Sequence, residues 1–282
     1  TTVIEHPAVL EVCRFLEKHG FSVTYLPVDK YGLVNPSELE RAVTDKTILV
    51  TVMHANNEVG TVQPIEEISA ITKKKGIVFH TDAAQSAGKI SVDVKELGID
   101  LLSIAGHKLY APKGVGVLYI KSGIKPEKFM HGAGHEGGRR AGTENVLEIV
   151  GLGKACEIAG RDLRKNSEHM KNMRDRLHKG LEQRIKNIKL NGHPEKRLPN
   201  TLSLSFKGIN SSDLIQNLND KLAVSAGAAC HTGKISYVLE AMNIPREWSL
   251  GTLRLSTGKM TEEHEIDRAI DMICSISEVV KK

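Results

Sequence analysis

The chain has 282 residues, 40% hydrophobic and 26% charged, with a formal net charge of +5; this is ordinary globular composition, long enough for one large domain or two modest ones. Aromatics make up 4%, too few for a basic patch interleaved with stacking rings, so no nucleic-acid partner is expected. No apolar run nears the roughly 20 residues that span a bilayer, and no signal-peptide pattern opens the chain, so no membrane partner is expected either.

In chain order, Thr1-Thr2-Val3-Ile4 reads as the tail of a strand already in progress. With no initiator Met, the chain is expected to begin inside a domain, as a fragment or a shortened form. His6-Pro7 opens an amphipathic helix to about Lys18, with Val9, Leu10, Cys13 and Leu16 on one face, and Gly20 stops it. Ser22 to Pro27 reads as a strand. Asn35 is the N-cap and Pro36 the first residue of the next helix, continued by Leu39 and Val43. Ile48 to Met53 is a strand that runs out into His54-Ala55-Asn56-Asn57-Glu58. Pro64 starts a helix with Ile65, Ile68 and Ile71 on one face, closed by a solvated Lys73-Lys74-Lys75 end.

Two buried strands follow. Ile77-Val78-Phe79 stops in His80-Thr81-Asp82-Ala83-Ala84-Gln85, and Leu101-Leu102-Ser103-Ile104 leads to Gly106-His107-Lys108. Val115 to Ile120 is another strand. Strand alternating with helix argues an α/β fold, a mostly parallel sheet with helices on both faces. In such sheets ligands sit beyond the carboxyl ends of the strands. Asp82, Gln85, His107 and Lys108 are therefore expected to be neighbours. A carboxylate, an amide, an imidazole and an amine at one sheet edge suit pyridoxal 5'-phosphate: the lysine forms a Schiff base and the acid holds the ring nitrogen protonated. The plainer reading stands beside it, with Asp82 a turn residue and Lys108 a solvated amine.

His131 to Thr143 is glycine-dense and basic, a loop that could meet an anion. A long helical pattern runs from Asn145 to about Ile185, with a break near Gly160. Beyond it the pattern changes. Thr201 to Phe206 is an alternating strand, Ser211 to Leu218 a helix, Ala223-Val224-Ser225 and Leu253 to Ser256 strands, and Thr261 to Val280 a closing helix. The expected division is a large α/β domain over 1–162 and a smaller C-terminal α+β domain over 163–282.

Four cysteines without CxxC spacing argue against a disulfide framework and for a reducing compartment, the cytoplasm first and an organelle as the alternative. Cys13, Cys156 and Cys274 sit in helical patterns and are expected to be buried and inert. Cys230 differs. It lies in Ser225-Ala226-Gly227-Ala228-Ala229-Cys230-His231-Thr232-Gly233-Lys234, where His231 and Lys234 are of the type that lowers a thiol pKa. A buried cysteine in a tight turn is the alternative.

Taken together, His54 to Gly60, His80 to Ser86, Gly106-His107-Lys108, Arg140-Ala141-Gly142-Thr143, Ala228-Ala229-Cys230 and Leu253-Arg254-Leu255-Ser256 closely resemble the cysteine desulfurase and selenocysteine lyase family. These are class V aminotransferase-like enzymes of the pyridoxal phosphate fold type I group. The resemblance spans nearly the whole chain, in the family's order. It implies that Lys108 carries the cofactor and shuttles protons, Asp82 pairs with the pyridine nitrogen, and Gln85 and Asn57 contact the ring hydroxyl or the substrate side. It implies that His6 stacks on the ring and that His107 adjoins phosphate and substrate. Thr143 would reach the phosphate of a partner subunit, so a homodimer is implied. Arg254 would hold the substrate carboxylate, as a bidentate guanidinium can, and Cys230 would take the sulfur as a persulfide. The implied substrate is L-cysteine or L-selenocysteine, with alanine as product and a sulfur or selenium acceptor protein downstream, as in iron–sulfur cluster assembly. No metal is implied.

Three departures stand out. Ala105 replaces the Ser that desulfurase relatives carry two residues before the His. Cys230 followed by His231 in a short loop is closer to the selenocysteine lyase branch. The family's N-terminal Gly-Asn-Pro motif and phosphate-gripping loop do not precede Thr1. The competing readings are a class V transaminase or epimerase with Cys230 incidental, and a truncated, non-catalytic partner of an intact relative.

Overall fold

The computed structural model describes residues 1–218, 221–226 and 235–280. The chain opens with α1 (Pro7–Lys18), whose first turn is capped by the His6 Nδ1 accepting the Ala8 N–H at 3.1 Å. Gly20 follows it at φ +89°. In α2 (Pro36–Ala42) the Asn35 side chain accepts the Ser37 N–H at 2.9 Å. Proline at the first helical position loses no intrahelical bond, which makes both starts local decisions. Strand β1 (Leu49–Thr51) leads to α3 (Ile65–Lys74), with Glu66 and Glu67 in its first turn and Lys73 and Lys74 in its last. That order of charge matches the helix dipole.

Then come β2 (Val78–Asp82), β3 (Leu101–Ala105), a 3-10 turn (Gly106–Leu109) and β4 (Gly116–Ile120). The first sheet has the order β1-β2-β3-β4, with β1, β2 and β3 parallel and β4 antiparallel to β3. Its core is Val50, Val52, Ile65, Ile68, Phe79, Ile99 and Leu102. Burying a side chain such as Phe79, which is fully enclosed, stabilises the fold by roughly 2–3 kcal/mol.

A distorted turn, α4 (His135–Gly138), precedes α5 (Val146–Arg161) and α6 (Leu163–Arg184). The second sheet is antiparallel, in the order β5-β6-β8-β7, from β5 (Ile188–Asn191), β6 (Thr201–Phe206), β7 (Ser225–Ala226) and β8 (Thr252–Ser256). Helices α7 (Ser211–Leu218), α8 (Tyr237–Ala241), α9 (Arg246–Ser249) and α10 (Glu263–Val280) complete the chain. Leu181, Leu202, Leu204, Phe206, Leu253 and Ile273 form the core beneath this sheet. A third cluster joins Ile4, Met53 and Val59 to Val238, Leu239 and Met242 of α8. The second half of the sequence thus returns to pack on the loop that follows β1.

Several expectations are corrected. Ser22 to Pro27 and Thr1 to Ile4 form no ladder; a single parallel bridge joins Thr2 to Leu26. The strand β2 does not stop at Phe79 but carries its pairing through Asp82. The helix break falls at Asp162, two residues beyond Gly160. Strand β7 is Ser225–Ala226 and excludes Ala223 and Val224. The alternating polar residues of β6 are not solvated. Thr201, Ser203 and Ser205 are all buried, the two serines accepting from the Asn191 amide at 3.3 and 2.7 Å. Cys13 and Cys274 are buried as expected, but Cys156 on α5 is exposed. Its helix is apolar on more sides than the core needs, so an apolar neighbourhood in sequence did not mean burial. Strand β5 and the short helices α8 and α9 escaped the sequence reading because four- and five-residue elements carry little periodicity.

Candidate active site

Parallel pairing aligns the ends of β2 and β3, with Asp82 opposite Ser103. Chain leaving β3 enters the 3-10 turn at Gly106, whose N–H donates to the Val115 carbonyl at 3.0 Å. A Cβ at Gly106 would lie 2.7 Å from that same oxygen, a distance no side chain tolerates. Glycine therefore lets the turn lie flat against Val115 and present His107 and Lys108 outward, where both are exposed. Tyr110 closes the turn in the left-handed region at φ 66°, an unusual backbone for a non-glycine residue and of the kind that collects at sites. The Lys259 ammonium lies 4.5 Å from its ring centroid.

Between the two sheets lies a cavity of about 370 Å³. Asn57, Gln85, His107, Lys108 and Arg254 all line it, together with Lys89, Tyr110, Lys259 and the faces of α5 and α6. Five residues singled out in the sequence thus share one space, from β8, the loop after β1, the turn after β2 and the turn after β3. Among the described residues its lining holds four basic side chains (Lys89, Lys108, Arg254 and Lys259) and no Asp or Glu. Such a cavity is built to receive an anion.

Arg254 is braced from two sides. Its Nη1 donates to the Asn57 carbonyl at 3.0 Å and its Nη2 approaches the Ser225 Oγ at 3.4 Å. The loop that carries Asn57 is set by its neighbour. Asn56 is fully buried. Its Nδ2 donates to the Ile4 carbonyl at 3.0 Å, while its Oδ1 accepts the Glu58 and Val59 N–H groups at 2.9 and 3.0 Å. The Asn57 Oδ1, in contrast, is buried with no hydrogen-bond partner among the described residues. An orphaned buried acceptor costs stability, and at a cavity wall it marks a place for a ligand donor.

The remaining predicted residues sit elsewhere. Asp82 ends β2, half-buried, its Oδ1 accepting the Ala84 N–H at 2.8 Å; it does not line the cavity. His6 caps α1 and is exposed, and Thr143 lies exposed before α5; neither lines the cavity. Cys230, with His231 and Lys234, lies outside the described residues.

Electrostatics sharpen the picture. Burial pulls His54 down to about 4, so it is neutral near pH 7, and its Nδ1 has no hydrogen-bond partner among the described residues. Burial pushes Glu58 up to about 7, against a hydrogen bond from Ser236 and the charge of Arg254. Lys89 was not singled out in the sequence. It is buried, donates to the Gln85 carbonyl at 2.9 Å and is pulled down to about 8 by burial and by the Lys108 charge. The signal for it was its place four residues after Gln85, in the turns that follow β2. Among the described residues no group of three or more His, Cys, Asp or Glu gathers to hold a metal.

Residues 1–269 match the family described as Aminotransferase class-V. The chain belongs to that family. Its relatives place it among the cysteine desulfurases. It is 48% identical over 281 residues to a cysteine desulfurase IscS of Clostridium botulinum, covering 98% of this chain and 71% of the relative. It is 48% identical over 285 residues to one from Methanosarcina thermophila, covering 100% and 70%. Among solved structures it superposes on a NifS-like protein with a TM-score of 0.90 at 40% identity, covering 99% of this chain and 73% of that one. It is also similar to SspA in complex with cysteine, at a TM-score of 0.79 and 35% identity over 93% of this chain and 73% of that one. The fold of this class V aminotransferase chain is accordingly the α/β fold of type I pyridoxal phosphate enzymes. Among its described residues no helix is long and apolar enough to cross a membrane.

Proposed function

We propose that this chain is a pyridoxal phosphate-dependent cysteine desulfurase, converting L-cysteine to alanine and leaving the sulfur as a persulfide on Cys230. The observation that carries the reading is the cavity that Lys108 lines together with Asn57, Gln85, His107 and Arg254, with no acid among its described lining residues. These residues fit the cofactor: four cations suit a phosphate and a substrate carboxylate, and the orphaned Asn57 Oδ1 awaits a donor. When bound, the cofactor supplies an electron sink for charge left on the substrate α-carbon.

Within that frame Lys108 is the Schiff-base residue. Its amine would be the group that takes the substrate α-proton and returns it. Gln85 and Asn57 would hold the ring on its hydroxyl side and His107 would hold the phosphate. Family resemblance assigns Asp82 at the end of β2 to the pyridine nitrogen and His6 at the head of α1 to the ring face, although neither lines the cavity. Arg254, held by the Asn57 carbonyl, receives the substrate carboxylate through its fork. The Cys230 thiolate attacks the substrate sulfur: an S–S bond forms, the substrate C–S bond breaks, and the thiol proton ends on the methyl of alanine. Thr143 is assigned to the phosphate of a second copy. The exposed Phe129, Met130, Val146, Leu147 and Val150 support a homodimer, since apolar surface of that extent favours association. The domain boundary is placed at 162/163, supported by the helix break at Asp162. A protein acceptor of the persulfide and a reducing, cytoplasmic setting complete the proposal. L-selenocysteine is the alternative substrate, supported by Cys230-His231 in sequence.

The test is the visible absorbance of the cofactor-supplied protein. A protein-bound band is expected in the wild type and lost in Lys108→Ala. An unchanged band in Lys108→Ala refutes the assignment. Cys230→Ser is expected to keep the band and lose persulfide formation; unaltered sulfur release in that variant refutes the role of the thiol, and a wild type that releases no sulfur at all favours a transaminase.

A further inference from the structure

Arg254 does not meet the cavity unaided. Its Nη1 depends on the Asn57 carbonyl, and the position of that carbonyl depends on the next residue. Glu58 is half-buried, its carboxylate accepting the Ser236 hydroxyl across 178 positions of sequence. Ser236 in turn caps α8, accepting the Val238 and Leu239 N–H groups at 3.1 and 3.3 Å. The helix it caps packs its Val238, Leu239 and Met242 on Ile4, Met53 and Val59. Glu58 is near enough to Arg254 to feel its charge, yet among the described residues no ion pair joins them. Its link to the guanidinium therefore runs through the backbone of residues 57 and 58 rather than through a salt bridge.

We propose that Glu58 is a positioning residue for substrate binding, which pins the loop after β1 to the head of α8 through Ser236 and so sets the Asn57 carbonyl that aims Arg254. The role is that of a hydrogen-bond acceptor, not of a charge. A carboxylate pushed up to about 7 by burial is partly neutral near pH 7, and an obligatory anion would be poorly served there. Two residues distant in sequence, Glu58 and Ser236, thereby tune affinity for an amino-acid carboxylate without touching it. The inference rests on the assignment of Arg254 to that carboxylate.

The experiment uses the cofactor-supplied protein, titrated with L-alanine while the cofactor absorbance is followed, together with steady-state kinetics on L-cysteine. Glu58→Ala is expected to raise the apparent Kd for L-alanine and the KM for L-cysteine by about tenfold, the effect of one lost hydrogen bond, with kcat within about twofold. Glu58→Gln keeps the acceptor and is expected to stay within about twofold of wild type in both. Ser236→Ala, which leaves the carboxylate intact, should move in the direction of Glu58→Ala and serves if that variant fails to fold. Unchanged Kd and KM in a folded Glu58→Ala overturn the inference, as does a loss in kcat alone. A Glu58→Gln as impaired as Glu58→Ala overturns the acceptor role in favour of charge. A wild type whose cofactor absorbance ignores L-alanine removes the functional reading and this inference with it; every other adverse result falls on Glu58 alone.

Discussion

Glu5 offers a direct test of the electrostatics around the site. Its side chain is fully enclosed. Both carboxylate oxygens accept the Met53 N–H at 3.0 Å, and Oε1 also accepts the Thr2 hydroxyl at 2.7 Å. Burial is the larger influence and raises its pKa from 4.5 to about 7, against the two hydrogen bonds. A carboxyl raised on folding adds stability in full below its unfolded value, and that stability is lost as pH rises through the folded one. At about 1.4 kcal/mol per pH unit between the two values, the loss is about 3 kcal/mol in all, a large part of the roughly 5–15 kcal/mol that holds a domain together. Most of it falls between pH 5 and pH 8.

The perturbation is Glu5→Gln, which keeps the shape and cannot ionise. Its amide NH₂ meets the Met53 N–H poorly, at a cost of about 1 kcal/mol, but that cost is the same at both pH values and drops out of the comparison. The assay is urea unfolding of both proteins at pH 5 and pH 8. Wild type is expected to lose roughly 2–3 kcal/mol more than Glu5→Gln over that interval. The buried His54, which titrates near 4, is present in both and cancels. Parallel pH dependences would refute the reasoning, because they would mean that Glu5 ionises in the folded protein as readily as in the unfolded chain.

Gly106→Ala is expected to displace the turn that carries His107 and Lys108, because the new Cβ would sit 2.7 Å from the Val115 oxygen. Reduced cofactor absorbance at saturating cofactor checks it; a band of wild-type intensity would contradict it. Leu204→Ala on β6, fully buried in the second core, should cost about 3 kcal/mol in urea unfolding. A cost below about 1 kcal/mol would show that this core can collapse around the gap.

Much of this architecture was legible in the residues. The starts of α1 and α2 were readable because Pro7, Asn35 and Pro36 act on their own neighbours through capping and a fixed φ. The strands β1, β2 and β3 were readable because short apolar runs interrupted by polar ends have few alternatives. Gln85, His107, Lys108, Asn57 and Arg254 were picked out by pattern and by family resemblance. Ser22 to Pro27 misled because a strand needs a partner, and strand propensity does not say whether one is present. Ser203 and Ser205 misled for the opposite reason: alternation predicts a solvated face, but Asn191 satisfies these hydroxyls in a layer that pattern alone cannot show.

The amino-acid order by itself determined where helices begin and which strands are buried, since capping, proline geometry and hydrophobic period act over a few residues. Only the tertiary structure decided that no carboxylate is among the described residues lining the cavity, that Lys89 stands near Lys108, and that Glu58 reaches Ser236. The last two join groups 19 and 178 positions apart, and a contact across such spans is set by how the elements pack rather than by any local preference.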